Sequence, residues 1–396
     1  MTNTNQKLLT LTTCLTLSFF SLAGSALAAP SISGTSGTWS HGGSVTVNGS
    51  AFGSKSPAAP LVWDHGQYAN FTAAGYVGAW PNTGPGASNI VYSTGVSGVV
   101  MPHARTTTYA TGSHLGVNDE TGGNNVQLWT TFNKSNGQRV YVSWYSRLDP
   151  AWQGGLGSPS DGNFKTFGYS GGGYGLIVSG GTNWYHAGFL NPASSDAQYI
   201  INDDNGSTLD NPDANGDNSF HENMVSPGKG SASDASKWVK NEVEMRIYST
   251  SGLGGGYVKA WDNGVLGINY VGKTDNWSGT SRSIGVGGYA RAQGATTQRR
   301  YFADVYIDTS AARVLLCQGS TLASRGVCEP QPPTAWGASS VAVTVNAGRF
   351  TDGSTAYLYV CDDIGLCNAN GTAITIAGSG GGDTTPPAAP TGLGVQ

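Results

Sequence analysis

Charge is scarce in this chain. Only 11% of its 396 residues are Asp, Glu, Lys or Arg, and the formal net charge at pH 7 is −4. No basic cluster exceeds the Arg299–Arg300 pair, so the basic footprint of a nucleic-acid binder is missing. Glutamate occurs at five positions: Glu120, Glu222, Glu242, Glu244 and Glu329. No nucleophile elbow, phosphate loop or zinc-protease motif is present. Beyond the first residues no apolar run is long enough to span a membrane. Helix signals are nearly absent; only SDASKWV (233–239), with Ser or Asp as a cap, suggests a turn or two. Cysteine is rare, with five in all.

Glycine is abundant, at 60 residues, and aromatics reach 10%. High Gly, low charge and many Thr, Ser, Tyr and Trp predict extracellular all-β structure with long turns. Residues 1–28 read as a secretory signal: Lys7 supplies the positive start, 8–22 the apolar stretch, and Ala26-Leu27-Ala28 the cleavage pattern. The mature chain is expected to start near Ala29, released or held at the cell surface. Cys14 leaves with the signal. Cys317, Cys328, Cys361 and Cys367 remain and permit three pairings, of which the local pairs 317–328 and 361–367 are the simplest. A zinc site is the rival reading, but the paired CxxC spacing is lacking.

The stretch RVYVSWYSRLDPAWQGGLGSPSDGNFKTFGY (139–169) reads as two strands joined by a Gly- and Pro-rich loop. In the first, Val140, Val142, Trp144, Ser146 and Leu148 alternate with Tyr141, Ser143, Tyr145 and Arg147. In the second, Asn163, Lys165, Phe167 and Tyr169 share a face. An aromatic face with one Arg and one Lys suits an acidic sugar chain. Further strands are predicted over 125–132, 175–179, 242–249, 256–262, 283–291 and 300–308. Trp261-Asp262-Asn263-Gly264 signals a hairpin with a type I′ turn.

Three resemblances follow. GGSVTVNGSAFGS, within residues 30–64, resembles the first half of an IPT/TIG domain, an immunoglobulin-like module in which Phe52 is the apolar plug. The strands that should complete it do not follow Trp63. RVLLCQGS, TAWGASSVAVTVNAGRF and STAYLYVCDDIGLCNANGTAITI, within 312–377, resemble the second half. Residues 66–310 are therefore expected to form a separate domain inserted into the smaller one; the alternative is two unrelated β units at either end. Within the insert, VSWYSRLDPAW, NFKTFGY, WVKNEVEMRIYSTSGLGGGYVKAWDNG and IGVGGYARAQGATTQRRYFADVYID resemble, in that order, the concanavalin A-like jelly roll of polysaccharide lyases acting on alginate, glucuronan or heparin. Residues 378–396 read as a linker, and TTPPAAPTGL is similar to the opening strand of a fibronectin type III module. The expected fold is all-β: a jelly-roll β-sandwich plus a smaller immunoglobulin-like β-sandwich.

The lyase resemblance implies β-elimination on an acidic polysaccharide. Arg147 and Lys165 would neutralise the uronate carboxylate, and Tyr185, His186 or Tyr289 would carry the protons. Substrate contacts are expected at Tyr141, Tyr145, Trp152, Asn163, Tyr169, Trp184 and Arg291. On this reading 141–147 and 163–169 line the concave sheet. Trp80, Trp152, Trp184 and Trp277 either stack sugar rings or plug the ends of the sandwich. Each of these residues also has a bland reading as a solvated or core side chain. No cofactor is required.

Hydrolysis is the weaker option, since the Glu-x-Asp-x-x-Glu pattern of glucanases with this fold is absent. Glu242 and Glu244 lie two apart on one strand, about 7 Å. With Arg246 and Tyr248 they read more simply as an exposed face with cross-strand salt bridges, Lys259 being a candidate partner. Asn211, Asp213, Asn215, Asp217 and Glu222 match an EF-hand-like calcium spacing, with Asn for the first Asp; a polar Asx-rich loop is the alternative. The partner expected is an acidic polysaccharide, with a non-catalytic carbohydrate-binding or adhesion module as the competing class. Oligomeric state is left open.

Overall fold

The computed structural model describes residues 28–64, 90–93, 114–119, 126–148, 167–170, 189–190, 197–199, 224–225, 238–248, 255–272, 274–275, 279–288 and 298–378. These residues are all-β. The first strands are β1 (Ser31–Gly37), β2 (Ser44–Ser50) and β3 (Val62–Asp64). Next come β4 (Ile90–Ser93), β5 (His114–Asp119), β6 (Val126–Asn133), β7 (Arg139–Leu148) and β8 (Phe167–Ser170). The short β9 (Phe189–Leu190), β10 (Ala197–Tyr199) and β11 (Met224–Val225) follow. Then come β12 (Val239–Arg246), β13 (Gly256–Asp262), β14 (Val265–Gly272), β15 (Ser281–Gly288) and β16 (Gln298–Asp308). The last group is β17 (Arg313–Cys317), β18 (Cys328–Gln331), β19 (Pro333–Trp336), β20 (Ser340–Thr344), β21 (Thr355–Cys361) and β22 (Thr372–Thr375).

The described residues form five sheets; β11-β10-β9 is a small one, and the other four stack in layers. The first has the order β6-β15-β8. The second, with eight strands, runs β14-β13-β12-β7-β16-β5-β4, and β3 also pairs with β16. The third is β18-β17-β21-β22 and the fourth β1-β2-β20-β19. Alternation explains the stacking. The inward side chains of β7, Val140, Val142 and Trp144, are fully buried, and Trp144 stacks on Phe167 of β8 with ring centres 5.8 Å apart. The opposite face of β7 meets the third sheet: Tyr141 and Tyr306 cluster with Leu315, Cys317, Cys328, Tyr359 and Cys361. The other faces of β17 and β21 present Val314, Leu316, Leu358 and Val360 to Val45, Val47, Val341 and Val343 of the fourth sheet. A sheet covered on both sides reads as a near-continuous buried run, as RVLLC does in β17.

Both ends of the chain build the smaller sandwich. β2 pairs antiparallel with β20, Val45 opposite Val343 and Val47 opposite Val341, and Phe52 and Trp39 plug its core. Residues 61–63 fall within the 30–64 stretch that resembles this module, yet Val62–Asp64 pairs instead with β16 of the eight-stranded sheet, Val62 opposite Ile307. The end of the suggested helical turn differs too. Val239 begins β12 opposite Ser146, because a β-branched residue beside an open strand edge gains a ladder partner. The hairpin signal is matched: Asn263 and Gly264 have φ of 47° and 79°, joining β13 to β14.

Candidate functional site

The two strands of 139–169 do not lie side by side. β7 belongs to the eight-stranded sheet and β8 to the three-stranded sheet facing it, so 141–147 and 167–169 do not line one concave surface; 163–166 lie outside the described residues. Sequence alternation assigns a face to each strand but not a partner, and the long connection allows β8 to cross to the other layer.

Tyr141, Tyr145 and Tyr169, expected as sugar contacts, are buried. Tyr141 Oη donates to Glu242 Oε1 at 2.6 Å, and Tyr145 Oη to Glu329 Oε1 at 2.5 Å. Tyr169 Oη donates to Asp275 Oδ2 at 2.6 Å. Burial first, then the neighbouring carboxylate, pushes all three phenols far above the usual tyrosine range. They are held as neutral donors, which unsuits them to act as bases.

The polar face of β7 and β12 is sealed by the smaller sandwich. Glu242 accepts from Arg325 at 3.1 and 3.3 Å, and the Arg325 guanidinium lies 4.7 Å from the Trp261 ring centre. Glu244 accepts from Arg313 at 2.6 Å, and that guanidinium lies 4.3 Å over the Tyr141 ring. Glu329 of β18 pairs with Lys240 of β12 at 3.3 Å, both fully buried. Asp308, at the end of β16, pairs with Lys55 at 3.0 Å and accepts from Tyr306 at 2.8 Å. Burial raises the Asp308 carboxyl to about 6 despite Lys55. Glu242 and Glu244 are thus not on an exposed face; their hydrogen-bonded arginines come from β17 and the β17–β18 loop, and the expected Lys259 adds only its charge beside Glu244. Nothing local in VKNEVEMR signals this; the basic partners stand far along the chain.

Other expected site residues attach in sequence to one end of the large sandwich. Leu148 pairs with Arg300, Gln298 with Asp119, and Val239 with Ser146, so β7, β16, β5 and β12 all turn at this end. In the facing sheet, Phe167 pairs with Val286 and Val126 with Gly288. The opposite end is fastened by Asp275, which takes Arg282 at 2.7 and 2.8 Å, Lys134 at 3.0 Å and Tyr169. There too Thr274 bonds to Arg246 and Tyr248, next to the β7 start. That orientation sets the end of β7 opposite the start of β8.

Arg147 sits in this last stretch of β7, opposite Tyr301. Lys165, Tyr289 and Arg291 lie outside the described residues, as do Trp152, Asn163, Trp184, Tyr185, His186, Trp80, Trp277 and the set Asn211, Asp213, Asn215, Asp217 and Glu222. In sequence Lys165 is two residues before β8 and Tyr289 one after β15, whereas Tyr185 and His186 precede β9, in a separate small sheet.

The local disulfides are formed, Cys317–Cys328 and Cys361–Cys367. A small pocket of about 40 Å³ is lined by His41, Gly42, Trp63, Pro332, Thr344, Val345 and Asn346, room for ordered water but not for a sugar ring. Among the described residues no group of three or more His, Cys, Asp or Glu is placed to hold a metal ion, and no helix is long and apolar enough to cross a membrane.

No family model matches the chain, and no curated protein matches it. Among solved structures it is similar to alginate lyase Aly36B, at 12% identity and TM-score 0.33, covering 63% of this chain and 96% of that one. It is also similar to the cellulose induced protein Cip1, at 14% identity and TM-score 0.29, covering 59% and 90%. A third is the GH131 beta-glucanase catalytic domain from Podospora anserina, at 12% identity and TM-score 0.28, covering 57% and 81%. At this level the likeness gives no residue a role.

Proposed function

We propose that this is an exported protein that interacts with an acidic polysaccharide at the strand-turning end of its larger, jelly-roll-like sandwich. The observation that carries the reading is the convergence there of the ends of β7, β8 and β15, to which Arg147, Lys165 and Tyr289 are joined in sequence. An arginine, a lysine and a tyrosine joined in sequence to one end are the residue types a β-elimination uses. Arg147 and Lys165 hold the uronate carboxylate and stabilise charge built up when the adjacent ring proton leaves. The electrons of that C–H bond form the new double bond as the glycosidic C–O bond breaks. A second group protonates the departing oxygen, Tyr289 or the Tyr185–His186 pair sharing the two proton tasks. Two disulfides fit the oxidising compartment such a substrate occupies. The smaller sandwich is read as an IPT/TIG-like module interrupted by the larger domain. The 211–222 loop is read as a calcium site, for which a thermal shift on adding millimolar calcium is the test.

A second reading, a non-catalytic binding module, is favoured by the sealed phenols: Tyr141 and Tyr145 on β7 are locked as donors to glutamates and do not serve as bases. One assay separates the two. Incubation with polyuronates and glycosaminoglycans is followed by the ultraviolet absorbance of unsaturated uronate ends. Product that disappears in Lys165→Ala and Arg147→Ala supports the lyase. Retention on a polyuronate gel with no product supports the binding module, and neither retention nor product overturns the polysaccharide reading.

A further inference from the structure

The outer face of the eight-stranded sheet continues past the sealed glutamates. There Arg139 of β7, Arg246 of β12 and Tyr257 of β13 stand side by side in register. In the next row Lys259 of β13 stands beside Glu244. Arg139, Arg246, Tyr257 and Lys259 are each half-buried, and Asn269 and Val271 of the neighbouring β14 are exposed. The turn carrying Asp362 and Gly365 borders this strip, with Gly365 against the Glu244 carboxylate and Leu366 exposed.

Two arginines directly opposite one another on neighbouring strands repel, and the usual remedy is a carboxylate between them. Here the contacts are of another kind. Arg139 Nε donates to Tyr257 Oη at 3.2 Å. The Arg246 guanidinium lies 5.7 Å from the Tyr248 ring centre, and Lys259 Nζ lies 5.3 Å from that of Tyr257. Arg246 Nε is buried with no hydrogen-bond partner. The carboxylates at hand are engaged: Glu244 takes Arg313 at 2.6 Å and Tyr257 Oη at 2.7 Å. Asp362 Oδ1 accepts the amides of Ile364 and Leu366. Lys259 also faces Glu244 and Arg139 faces Asp362, but Arg313 and backbone amides share those carboxylates, so the three cations still leave positive charge beside the Tyr257 ring on one half-exposed strip.

We propose that Arg139, Arg246 and Lys259, with the Tyr257 ring among them, bind a carboxylated polysaccharide chain outside the strand-turning end. The occupant's identity rests on the polysaccharide reading above; the strip itself does not depend on the chemistry at Arg147 and Lys165. A chain with regularly spaced carboxylates matches cations repeated from strand to strand, at the strand spacing of about 4.8 Å. A uronate ring also has an apolar face to lay on Tyr257.

The test uses the full chain and polygalacturonate, with dextran as neutral control and phosphatidylserine vesicles as an anionic surface of another class. The double variant Arg246→Gln/Lys259→Gln is expected to weaken polygalacturonate binding about tenfold, from two half-exposed charge contacts, and to flatten its salt dependence. Arg246→Lys, which keeps the charge, is expected to retain most of the binding, and dextran should not be retained by any form. Unchanged polygalacturonate affinity in the double variant, or vesicle binding stronger than polygalacturonate binding, overturns the proposal. If the double variant does not fold, Arg246→Gln against Arg246→Lys decides: equal affinities overturn the strip, and a loss confined to Gln supports it. Lys165→Ala separates the two sites. Lost product with retained polygalacturonate binding leaves the strip standing. Intact product formation in the double variant with lost binding shows the strip acting apart from the strand-turning end.

Discussion

Two stretches of a single sheet face carry similar side chains and have opposite surroundings. Around Glu242 and Glu244, tyrosines and charges are enclosed beneath β17, β18 and β21, each acid paired with an arginine from the smaller sandwich. Around Arg139 and Arg246, two residues beyond Tyr141 on β7 and Glu244 on β12, tyrosines and charges stay half-exposed, and Asp362 of the smaller sandwich, which faces Arg139, is shared with backbone amides. The chemistry of a strand face therefore does not decide whether it is a recognition surface or an interface. What is stacked on it decides. In the sealed stretch the polar groups specify how the modules dock, since a buried charge without its partner is costly. In the open stretch the same groups remain available to a ligand.

The largest expected effect sharpens the sealed side. Glu329→Ala leaves Lys240 buried without its carboxylate and removes the acceptor of Tyr145, and should cost about 3–5 kcal/mol. Urea unfolding followed by tryptophan fluorescence measures it. A loss below about 1 kcal/mol would mean the modules do not depend on this contact.

Next is a pH effect. Asp308 has its folded pKa raised to about 6 by burial, from an ordinary 3.8. The folded protein then holds this proton more tightly than the unfolded chain. The contribution is fully present below about pH 4 and is lost as pH rises through 6, by up to about 3 kcal/mol. Glu244 and Asp275 act the other way. Burial raises both, but Arg313 for Glu244 and Arg282 for Asp275, with their hydrogen-bonded tyrosines, leave both lowered. Their contribution is present above the ordinary carboxylate range and is lost on acidification. Asp308→Asn should therefore abolish the fall in melting temperature between pH 4 and 6 while keeping the loss below pH 4. An unaltered profile would remove Asp308 from the account.

A smaller effect is expected at the hairpin tip. Gly264 has φ of 79°, and a Cβ there would meet the Gly326 backbone at 2.2 Å, in the loop that carries Arg325. Gly264→Ala should cost at least about 1–2 kcal/mol, from the left-handed backbone and the crowded module contact. The matching change at Gly279, also left-handed but with open space around it, should cost less.

The smallest effect belongs to the open stretch. Arg139→Gln removes one of two opposed charges and should change stability by no more than about 0.5 kcal/mol, with a slight gain favoured. A loss near that of Glu329→Ala would show the arginines to be structural and erase the contrast between the two stretches.

Much of the fold is legible along the chain. The alternation in RVYVSWYSRL, the Asn-Gly of the β13–β14 hairpin, and the matched valines of 44–47 and 341–345 each report local physics: the period of a strand, the backbone of a turn, one apolar face. The four cysteines lie close enough in sequence for their local pairing to be the simplest choice. Less of the candidate site is legible. Tyr141, Tyr145 and Tyr169 look like a sugar platform because tyrosine serves equally well as a surface ring and as a buried donor. Only the position of Glu242, Glu329 and Asp275 separates the two uses.

By itself, then, the amino-acid sequence determined an all-β chain, strands such as β7, β13 and β16, the β13–β14 hairpin, the apolar faces of 44–47 and 341–345, and an even set of cysteines for two bridges. Tertiary structure alone decided that β7 and β8 face each other from different sheets, that β3 joins the larger sheet, and which part of a polar strand face is closed. Those outcomes depend on pairings between residues tens to hundreds of positions apart. A strand's side-chain period states which face is apolar; what comes to cover the other face is set by the arrangement of the layers.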